Sequence, residues 1–220
     1  MRVILFGATG MLGQGVLREC LLDPDVERVL AVGRTATGRR DAKLSEITQP
    51  DLADLSGVEE RLTGYDACFF CLGVSSNGMS EDAYRAVTYD LTVAVGQTLS
   101  RRNPDMAFVY VSGQGTDSTE HGRTMWARVK GRTENALLAM PLRTYLFRPG
   151  YIQPMHGATS RTPLYRRLYR VTTPFYPLLR RVAPRHITTT ERVGRAMINA
   201  ARSGAPKRIL ENPDINALAG

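Results

Sequence analysis

The stretch that decides the fold lies close to the start of the chain and reads Gly7-Ala8-Thr9-Gly10-Met11-Leu12-Gly13. It follows an apolar run, Val3-Ile4-Leu5-Phe6, that is typical of a strand buried on both faces. After the glycine stretch, apolar residues recur at positions 12, 16, 17 and 21, which is helical spacing. A glycine-rich turn between a buried strand and an amphipathic helix predicts a dinucleotide site, because its free N–H groups and the helix dipole bind pyrophosphate. Gly7 would permit the tight turn, Gly10 the close approach of the pyrophosphate, and Gly13 the packing of helix on strand.

Strand-like and helix-like patterns alternate along the rest of the chain. Strands are predicted at 2–7, 28–33, 44–48, 67–73, 107–112 and 143–148, with a short late strand near 207–210. Helices are predicted at 11–22, 81–102, 125–139 and 189–203, with a short turn around 56–62. This alternation predicts an α/β fold with a doubly wound parallel sheet, the Rossmann fold, in a single domain over residues 1–220. Residues 151–186 are rich in Pro, Arg and Tyr and lack periodicity, so they are predicted to form a small C-terminal insertion that covers the substrate.

The bulk composition is that of an ordinary soluble globular protein. The 220 residues are 43% hydrophobic and 23% charged, which suits one substantial core. No apolar run reaches the roughly 18 residues of a spanning helix. The first predicted strand begins within the first few residues, so we expect no signal peptide and a cytoplasmic protein.

The chain is basic, with a formal net charge of +8, and this charge favours an anionic partner. No nucleic-acid module accompanies the arginine pairs, so nucleic acid is not an expected partner. Residues 163–186 combine basic and aromatic side chains in the sequence PLYRRLYRVTTPFYPLLRRVAPRH. Two interpretations stay open: a flap over the substrate, or a peripheral contact with an anionic membrane or an acidic or acyl substrate.

Two of the three cysteines, Cys68 and Cys71, form a C-x-x-C pattern that could indicate redox chemistry or a metal. The surrounding run DACFFCLGV is typical of a buried strand, in which residues three apart point to opposite faces. We therefore predict a structural role for both thiols and no metal site.

Arg34 follows the second strand, about twenty residues past the glycine turn, where an acidic residue would hold the ribose hydroxyls of NAD. A cation at this place favours the 2′-phosphate of NADP, and Arg39 and Arg40 follow closely. NADP is the predicted cofactor, with NAD the less favoured choice.

Several short motifs together resemble the short-chain dehydrogenase/reductase superfamily. They are the three glycines of the turn, Asp51-Leu52 after the third strand, Cys71-Leu72-Gly73 after the fourth, and Val111-Ser112 at the end of the fifth. More narrowly, the chain is similar to atypical and extended members, the NAD(P)-binding epimerase/dehydratase-like proteins, and to the NmrA-like and TIP30-like groups. The resemblance implies that the cofactor is bound by the turn and by later loop residues, namely Gly7, Thr9, Gly10, Met11, Leu12, Gly13, Arg34, Asp51, Leu52, Leu72 and Gly73.

The resemblance also implies a catalytic serine on the fifth strand and a Tyr-x-x-x-Lys pair on the next helix. Ser112 matches the serine, which would hydrogen-bond a substrate carbonyl, and Lys130 matches the lysine, which would hydrogen-bond the nicotinamide ribose. The tyrosine position holds Trp126, whose indole N–H is not a usable acid near neutral pH. Tyr151, at the end of the sixth strand, is the substitute candidate for the missing proton donor.

Three functional hypotheses therefore stay open. The first is an NADP-dependent oxidoreductase or epimerase-like enzyme that transfers hydride to or from a small molecule. The second is a non-catalytic NADP(H)-binding sensor or scaffold that regulates a protein partner, and the third is a membrane-associated assembly factor. The resemblance allows a homodimer built on helices 81–102 and 125–139, or a monomer, which is frequent among atypical members.

Overall fold

The computed structural model of the chain describes residues 1–159, 176 and 181–220. Most of the predicted insertion at 151–186 lies outside these described residues. The same holds for most of the basic and aromatic stretch 163–186, so both interpretations of that stretch stay predictions.

Seven strands form one parallel sheet, which confirms the predicted doubly wound α/β fold. In chain order the strands of this sheet are β1 (Arg2–Phe6), β2 (Arg28–Gly33), β3 (Leu44–Thr48), β4 (Ala67–Phe70), β5 (Ala107–Val111), β6 (Arg143–Arg148) and β9 (Ile209–Glu211). Their spatial order is β3-β2-β1-β4-β5-β6-β9. The order reverses between β1 and β4, and a sheet of this kind binds ligands at that point, beyond the carboxyl ends of its strands.

Helices cover both faces of this sheet. Those with described bounds are α1 (Met11–Leu22), α2 (Glu81–Arg85), α3 (Leu91–Arg102), α4 (Met125–Leu138), α5 (Thr190–Ser203) and α6 (Asn212–Leu218). A π-helical turn at Ala86–Asp90 joins α2 to α3, and in the described part of the chain short 3-10 helices lie at Ser56–Leu62 and Pro184–His186. The predicted helix at 81–102 is therefore observed as two α-helices joined by a widened turn.

Alternate residues of the strands enter two separate hydrophobic cores, as a sheet buried on both faces requires. In β1, Val3 and Leu5 pack toward α1 and α5, whereas Ile4 and Phe6 pack on the opposite face. The second core contains neighbouring rings of Phe6, Phe70, Phe108 and Tyr110, with ring centroids 5.5 to 5.9 Å apart.

The two C-x-x-C cysteines face opposite sides of the sheet, as predicted. Cys68 belongs to the core that contains Phe6, and Cys71 packs against the core that contains Leu5. All three cysteines are free, and burial raises their thiol pKa values, so these thiols stay protonated at neutral pH.

A second, two-stranded parallel sheet lies beside the large one and was not predicted. It pairs β7 (Tyr151–Gln153) with β8 (Ile187–Thr189), with Tyr151 opposite Ile187. The pairing brings together the two ends of the predicted insertion at 151–186. In the described part of the chain, no helix is both long and apolar enough to cross a membrane.

Candidate cofactor and active site

The glycine turn has the geometry that a bound pyrophosphate needs. Gly7 has a φ of +84°, and a Cβ at this residue would lie 2.8 Å from the carbonyl carbon and oxygen of Cys71. A Cβ at Gly13 would lie 2.0 Å from the Gly7 carbonyl oxygen, so α1 rests directly on the turn. Gly10 donates its N–H to the Gly7 carbonyl (2.9 Å) and caps α1 with no side-chain hydrogen bond. The first turn of α1, which includes Met11 and Leu12, therefore presents bare backbone to an anion.

A cleft opens from this turn across the carboxyl ends of β1, β2 and β3. Its walls are largely apolar and its mouth is polar, and the lining residues are Gly7, Ala8, Thr9, Ala31, Val32, Gly33, Arg34, Thr35, Ala36, Glu46, Ile47, Leu52 and Leu72. An adenine ring fits apolar walls of this kind, and a ribose fits a polar mouth. Five of the residues expected from the sequence to hold the cofactor thus meet in one cleft: Gly7, Thr9, Arg34, Leu52 and Leu72.

The mouth of the cleft carries one cation and one carboxylate. Arg34 is exposed and makes no ion pair with any described residue. Glu46 on β3 accepts a hydrogen bond at Oε1 from the Thr37 N–H, at 2.7 Å. Sequence reasoning missed Glu46 because it considered only the end of β2, whereas the β2–β3 register brings Glu46 opposite Ala31.

Among the expected cofactor residues of the later loops, Asp51 and Gly73 lie outside this cleft. Asp51 is exposed, and its Oδ1 accepts a hydrogen bond from the Ala53 N–H at 2.9 Å, which stabilises a local turn. Gly73 is exposed just beyond β4.

A buried polar network occupies the carboxyl end of β5 and β6. Ser112 donates its hydroxyl proton to Oε1 of Glu134 at 2.5 Å, with a longer contact of 3.2 Å to the Phe147 carbonyl. Glu134, on α4, is fully buried and accepts from Nε of Arg148 at 3.0 Å and also from Nη2. The hydrogen bond to Glu134 raises the pKa of Arg148. The Ser112 hydroxyl proton therefore points inward, toward an ion pair whose carboxylate is fully buried.

Lys130 lies next to this network. Its Nζ donates to the main-chain carbonyl oxygen of Ser112, so the predicted pair is in contact through the backbone of Ser112. Burial lowers the pKa of Lys130 to about 8, and the negative charge of Glu134 acts against that shift. The charge of this amine therefore changes within the range in which enzymes are assayed.

Trp126 lies one turn before Lys130 on the same face of α4. It is partly buried, and a Cβ added to Gly115 would lie 3.5 Å from Cη2 of its ring. The indole thus packs against the loop that follows Ser112, at the place where the resemblance expects the tyrosine.

Tyr151 is the first residue of β7 and is partly buried. Its hydroxyl donates to Oε1 of Gln153 at 2.9 Å, so the phenol proton already has an acceptor within the same strand.

Sequence reasoning missed two further parts of this region. Glu134 follows Lys130 by four residues, so an acidic residue on the buried face of the helix was the signal that could have found it. The second part is a contact between Gln114 and His186, 2.9 Å from Nε2 to Nδ1, which joins residues far apart in the chain and has no local sequence signal.

Comparison with known proteins supports the family resemblance. No family model matches the chain. The protein fmp52 of Emericella nidulans is 28% identical over 158 residues, 68% of this chain and 66% of its own length. Rat HTATIP2 is 24% identical over 154 residues, covering 68% of this chain and 62% of its own length. The chain therefore spans just under two thirds of the length of the curated relatives it matches.

Solved structures share the fold over nearly the whole chain. The Bordetella bronchiseptica enzyme WbmF, solved in complex with NAD⁺, aligns with a TM-score of 0.68 at 16% identity over 98% of this chain and 76% of its own. A short chain dehydrogenase family protein of Francisella tularensis aligns with a TM-score of 0.64 at 14% identity, over 92% and 91% of the two chains. The resemblance to the short-chain dehydrogenase/reductases is confirmed. At these identities the structural likeness establishes the Rossmann-like α/β fold and no substrate.

The comparison corrects one expectation. The fungal relatives are named as mitochondrial proteins, so they point to mitochondria and the expected cytoplasmic location is wrong. The expectation rested on the position of the first strand and on composition, and neither of these reports a compartment.

Proposed function

We propose that the chain is an NADP-binding oxidoreductase or epimerase-like protein that acts by hydride transfer on a small molecule. The observation that carries the proposal is the bare glycine turn and its cleft at the point where the strand order reverses. A nicotinamide cofactor supplies or accepts the hydride when it is bound there. The N–H groups at the start of α1 would hold its pyrophosphate, and Leu52 and Leu72 would pack on its adenine ring.

Within this proposal, Lys130 binds the nicotinamide ribose and Ser112 fixes Lys130 through its carbonyl oxygen. Glu134 orients the Ser112 hydroxyl, so a direct hydrogen bond from Ser112 to a substrate carbonyl would require that hydroxyl to leave Glu134. The segment 151–186 is proposed to cover the substrate within a single domain. The pairing of β7 with β8 supports this role of the segment, because the pairing holds the two ends of the segment together near the carboxyl end of β6.

Preference for NADP over NAD is proposed from Arg34, whose guanidinium would bind the 2′-phosphate. A hydrogen bond to a charged group contributes about 1.5–3 kcal/mol, which is about ten- to a hundredfold in affinity. Glu46 would act against this preference, but one of its oxygens is already bound to the Thr37 N–H. The test is to titrate NADPH and NADH against wild type, Arg34→Glu and Glu46→Gln. The last variant is the matched control, because it removes the negative charge that lines the same cleft as Arg34.

We expect Arg34→Glu to remove the NADPH preference and Glu46→Gln to preserve or increase it. Equal affinities of the wild type for the two cofactors would contradict the proposed preference. Failure of both cofactors to bind would contradict the proposed function itself.

The alternative is a non-catalytic NADP(H)-binding sensor or scaffold, and Trp126 is the observation that favours it. An indole cannot give up a proton near neutral pH, whereas a positioned general acid contributes about 10²–10⁴ in rate. The enzyme proposal predicts measurable NADPH-dependent reduction within a panel of aldehydes and ketones, with Trp126→Tyr increasing it and Trp126→Phe controlling for ring size. A protein that binds NADPH but reduces nothing, in wild type and both variants, would favour the sensor.

A further inference from the structure

The short-chain dehydrogenase/reductase site of this chain lacks the usual proton donor, and the structure offers a replacement. We propose that His186 is the residue that gives a proton to the substrate oxygen, and that Gln114 is a positioning residue that orients its imidazole. This inference rests on the proposed hydride-transfer function.

His186 lies at the carboxyl edge of the sheet through its contact with Gln114. Gln114 comes two residues after Ser112, at the end of β5, and its Nε2 lies 2.9 Å from Nδ1 of His186. The Gln114 N–H donates to the Pro149 carbonyl at 2.9 Å, which joins the loops after β5 and β6. The imidazole is thus held next to the loop that carries Ser112 and against which Trp126 packs.

The backbone around His186 is closely packed even though its side chain is exposed. A Cβ at Gly150 would lie 2.3 Å from the His186 carbonyl oxygen and 2.9 Å from Oε1 of Gln114. The next residue, Ile187, accepts hydrogen bonds at its carbonyl from Asn212 at 3.1 Å and from Asn216 at 2.8 Å. A fixed backbone and a solvent-facing ring suit a group that must reload its proton from water.

The contact with Gln114 leaves one ring nitrogen available. Nδ1 is occupied by the amide, and no described residue forms a hydrogen bond with Nε2. A glutamine amide can present either its N–H₂ or its oxygen to Nδ1, so it can hold the ring before and after the proton leaves. Gln114 therefore keeps Nε2 directed outward in both protonation states.

The other candidate donors near the site are occupied. The Tyr151 hydroxyl donates to Gln153, and the Lys130 amine donates to the Ser112 carbonyl. His156 pairs through Nε2 with Glu191 of α5 at 2.8 Å. Of these groups, His186 alone combines an acid–base side chain with a ring nitrogen that no described residue binds.

The proposed step reduces a carbonyl to an alcohol. The carbonyl carbon gains a hydride from the reduced nicotinamide, and the π electron pair of the C=O bond moves onto oxygen. That oxygen forms an O–H bond with the proton that leaves Nε2 of protonated His186. The ring is then neutral with its remaining proton on Nδ1, which donates to the oxygen of the Gln114 amide, and solvent restores the lost proton.

The first test uses the full chain with NADPH and the panel of aldehydes and ketones. We expect His186→Ala to lower kcat by about 10²–10⁴ with little change in KM, because a general acid acts on the reacting atoms. Added imidazole is expected to raise the kcat of His186→Ala at least tenfold. His121→Ala is the matched control, since His121 is an exposed histidine in the loop between β5 and α4, the loop that also carries Gln114, and it should leave the rate unchanged.

A second measurement does not depend on turnover. We expect ¹⁵N NMR of the neutral wild-type ring to show the proton of His186 on Nδ1, where the proposed step leaves it, and Gln114→Leu to abolish this tautomer preference while circular dichroism stays unchanged. A neutral ring with mixed tautomers in the wild type would overturn the role given to Gln114.

The outcomes separate this inference from the function on which it rests. Normal turnover by His186→Ala, or a loss that imidazole does not restore, would overturn the assignment of His186 while leaving the enzyme proposal intact, and a loss in Tyr151→Phe would then identify the donor. Wild type that binds NADPH but reduces no member of the panel would overturn the enzyme proposal and this assignment together.

Discussion

Replacing Glu134 by glutamine tests whether the buried network at the end of β5 and β6 is a charged one. Glu134 is 0% exposed and Arg148 is 11% exposed, so the pair is shielded from water. Glu134→Gln keeps the shape but removes the negative charge, and it turns an amide N–H₂ or a weaker acceptor toward the guanidinium. Breaking a buried ion pair on one side costs about 3–5 kcal/mol.

The lower end of that range applies here because Arg148 keeps two other partners. Its Nη2 donates to the Ser118 hydroxyl at 2.6 Å, and its Nη1 lies 3.5 Å from Oε1 of Glu211. We therefore expect Glu134→Gln to lower the free energy of unfolding by about 3 kcal/mol. For a domain of this size, that loss corresponds to a fall in Tm of about 6–12 °C.

Urea denaturation of a double-mutant cycle measures this effect. The cycle contains wild type, Glu134→Gln, Arg148→Met and the double variant, in which no unpaired charge is left behind. We expect the double variant to lose at least about 1.5 kcal/mol less than the sum of the single losses. A loss below about 1 kcal/mol for Glu134→Gln, or simple additivity, would refute a charged network.

Two further predictions concern the cofactor site. Gly13→Ala should destabilise the turn and abolish NADPH binding, since its methyl group would lie 2.0 Å from the Gly7 carbonyl oxygen. Gly57→Ala is the control and should leave NADPH binding and Tm unchanged, because a Cβ there meets nothing within 4 Å. A Gly13→Ala variant that still binds NADPH would contradict the packing argument. Because burial lowers the pKa of Lys130 to about 8, its amine is charged below that pH and neutral above it. NADPH affinity should therefore fall between pH 7 and 9 in wild type and show a flatter profile in Lys130→Met, whereas identical profiles would remove the lysine from the cofactor site.

The sheet could be predicted from the sequence because each strand and helix carries its own local pattern. The run Val3–Phe6 alternates its side chains between two cores, and the glycine turn that follows leaves space for α1. The small sheet of β7 and β8 has no such pattern. Each strand is three residues long, and each is stabilised by pairing with residues more than thirty positions away in the chain, between Tyr151 and Ile187.

The candidate site could be predicted only in part, for the same reason. Spacing and resemblance identified Ser112 and Lys130, and the structure brings them into contact. The direction of the Ser112 hydroxyl depends on Glu134, 22 residues away, and no sequence spacing relates a strand end to the buried face of a later helix. The contact of Gln114 with His186 spans 72 residues and depends on how Gly150 lets the two loops approach.

Ser112 and Lys130 both make structural contacts, so their presence alone does not demonstrate catalysis. Ser112 completes the hydrogen bonds of a buried carboxylate, and Lys130 closes the end of β5 through a backbone carbonyl, so both have structural partners with or without chemistry. A sensor that never transferred hydride would keep them for stability alone. The residues that distinguish an enzyme from a sensor are therefore those whose observed contacts do not stabilise a core. His186 is one, because it holds an exposed imidazole against Gln114, and Trp126 is another, because it lies where the family resemblance expects the acid. Substitutions at these two residues separate catalysis from folding, whereas substitutions at Ser112 or Lys130 change both together.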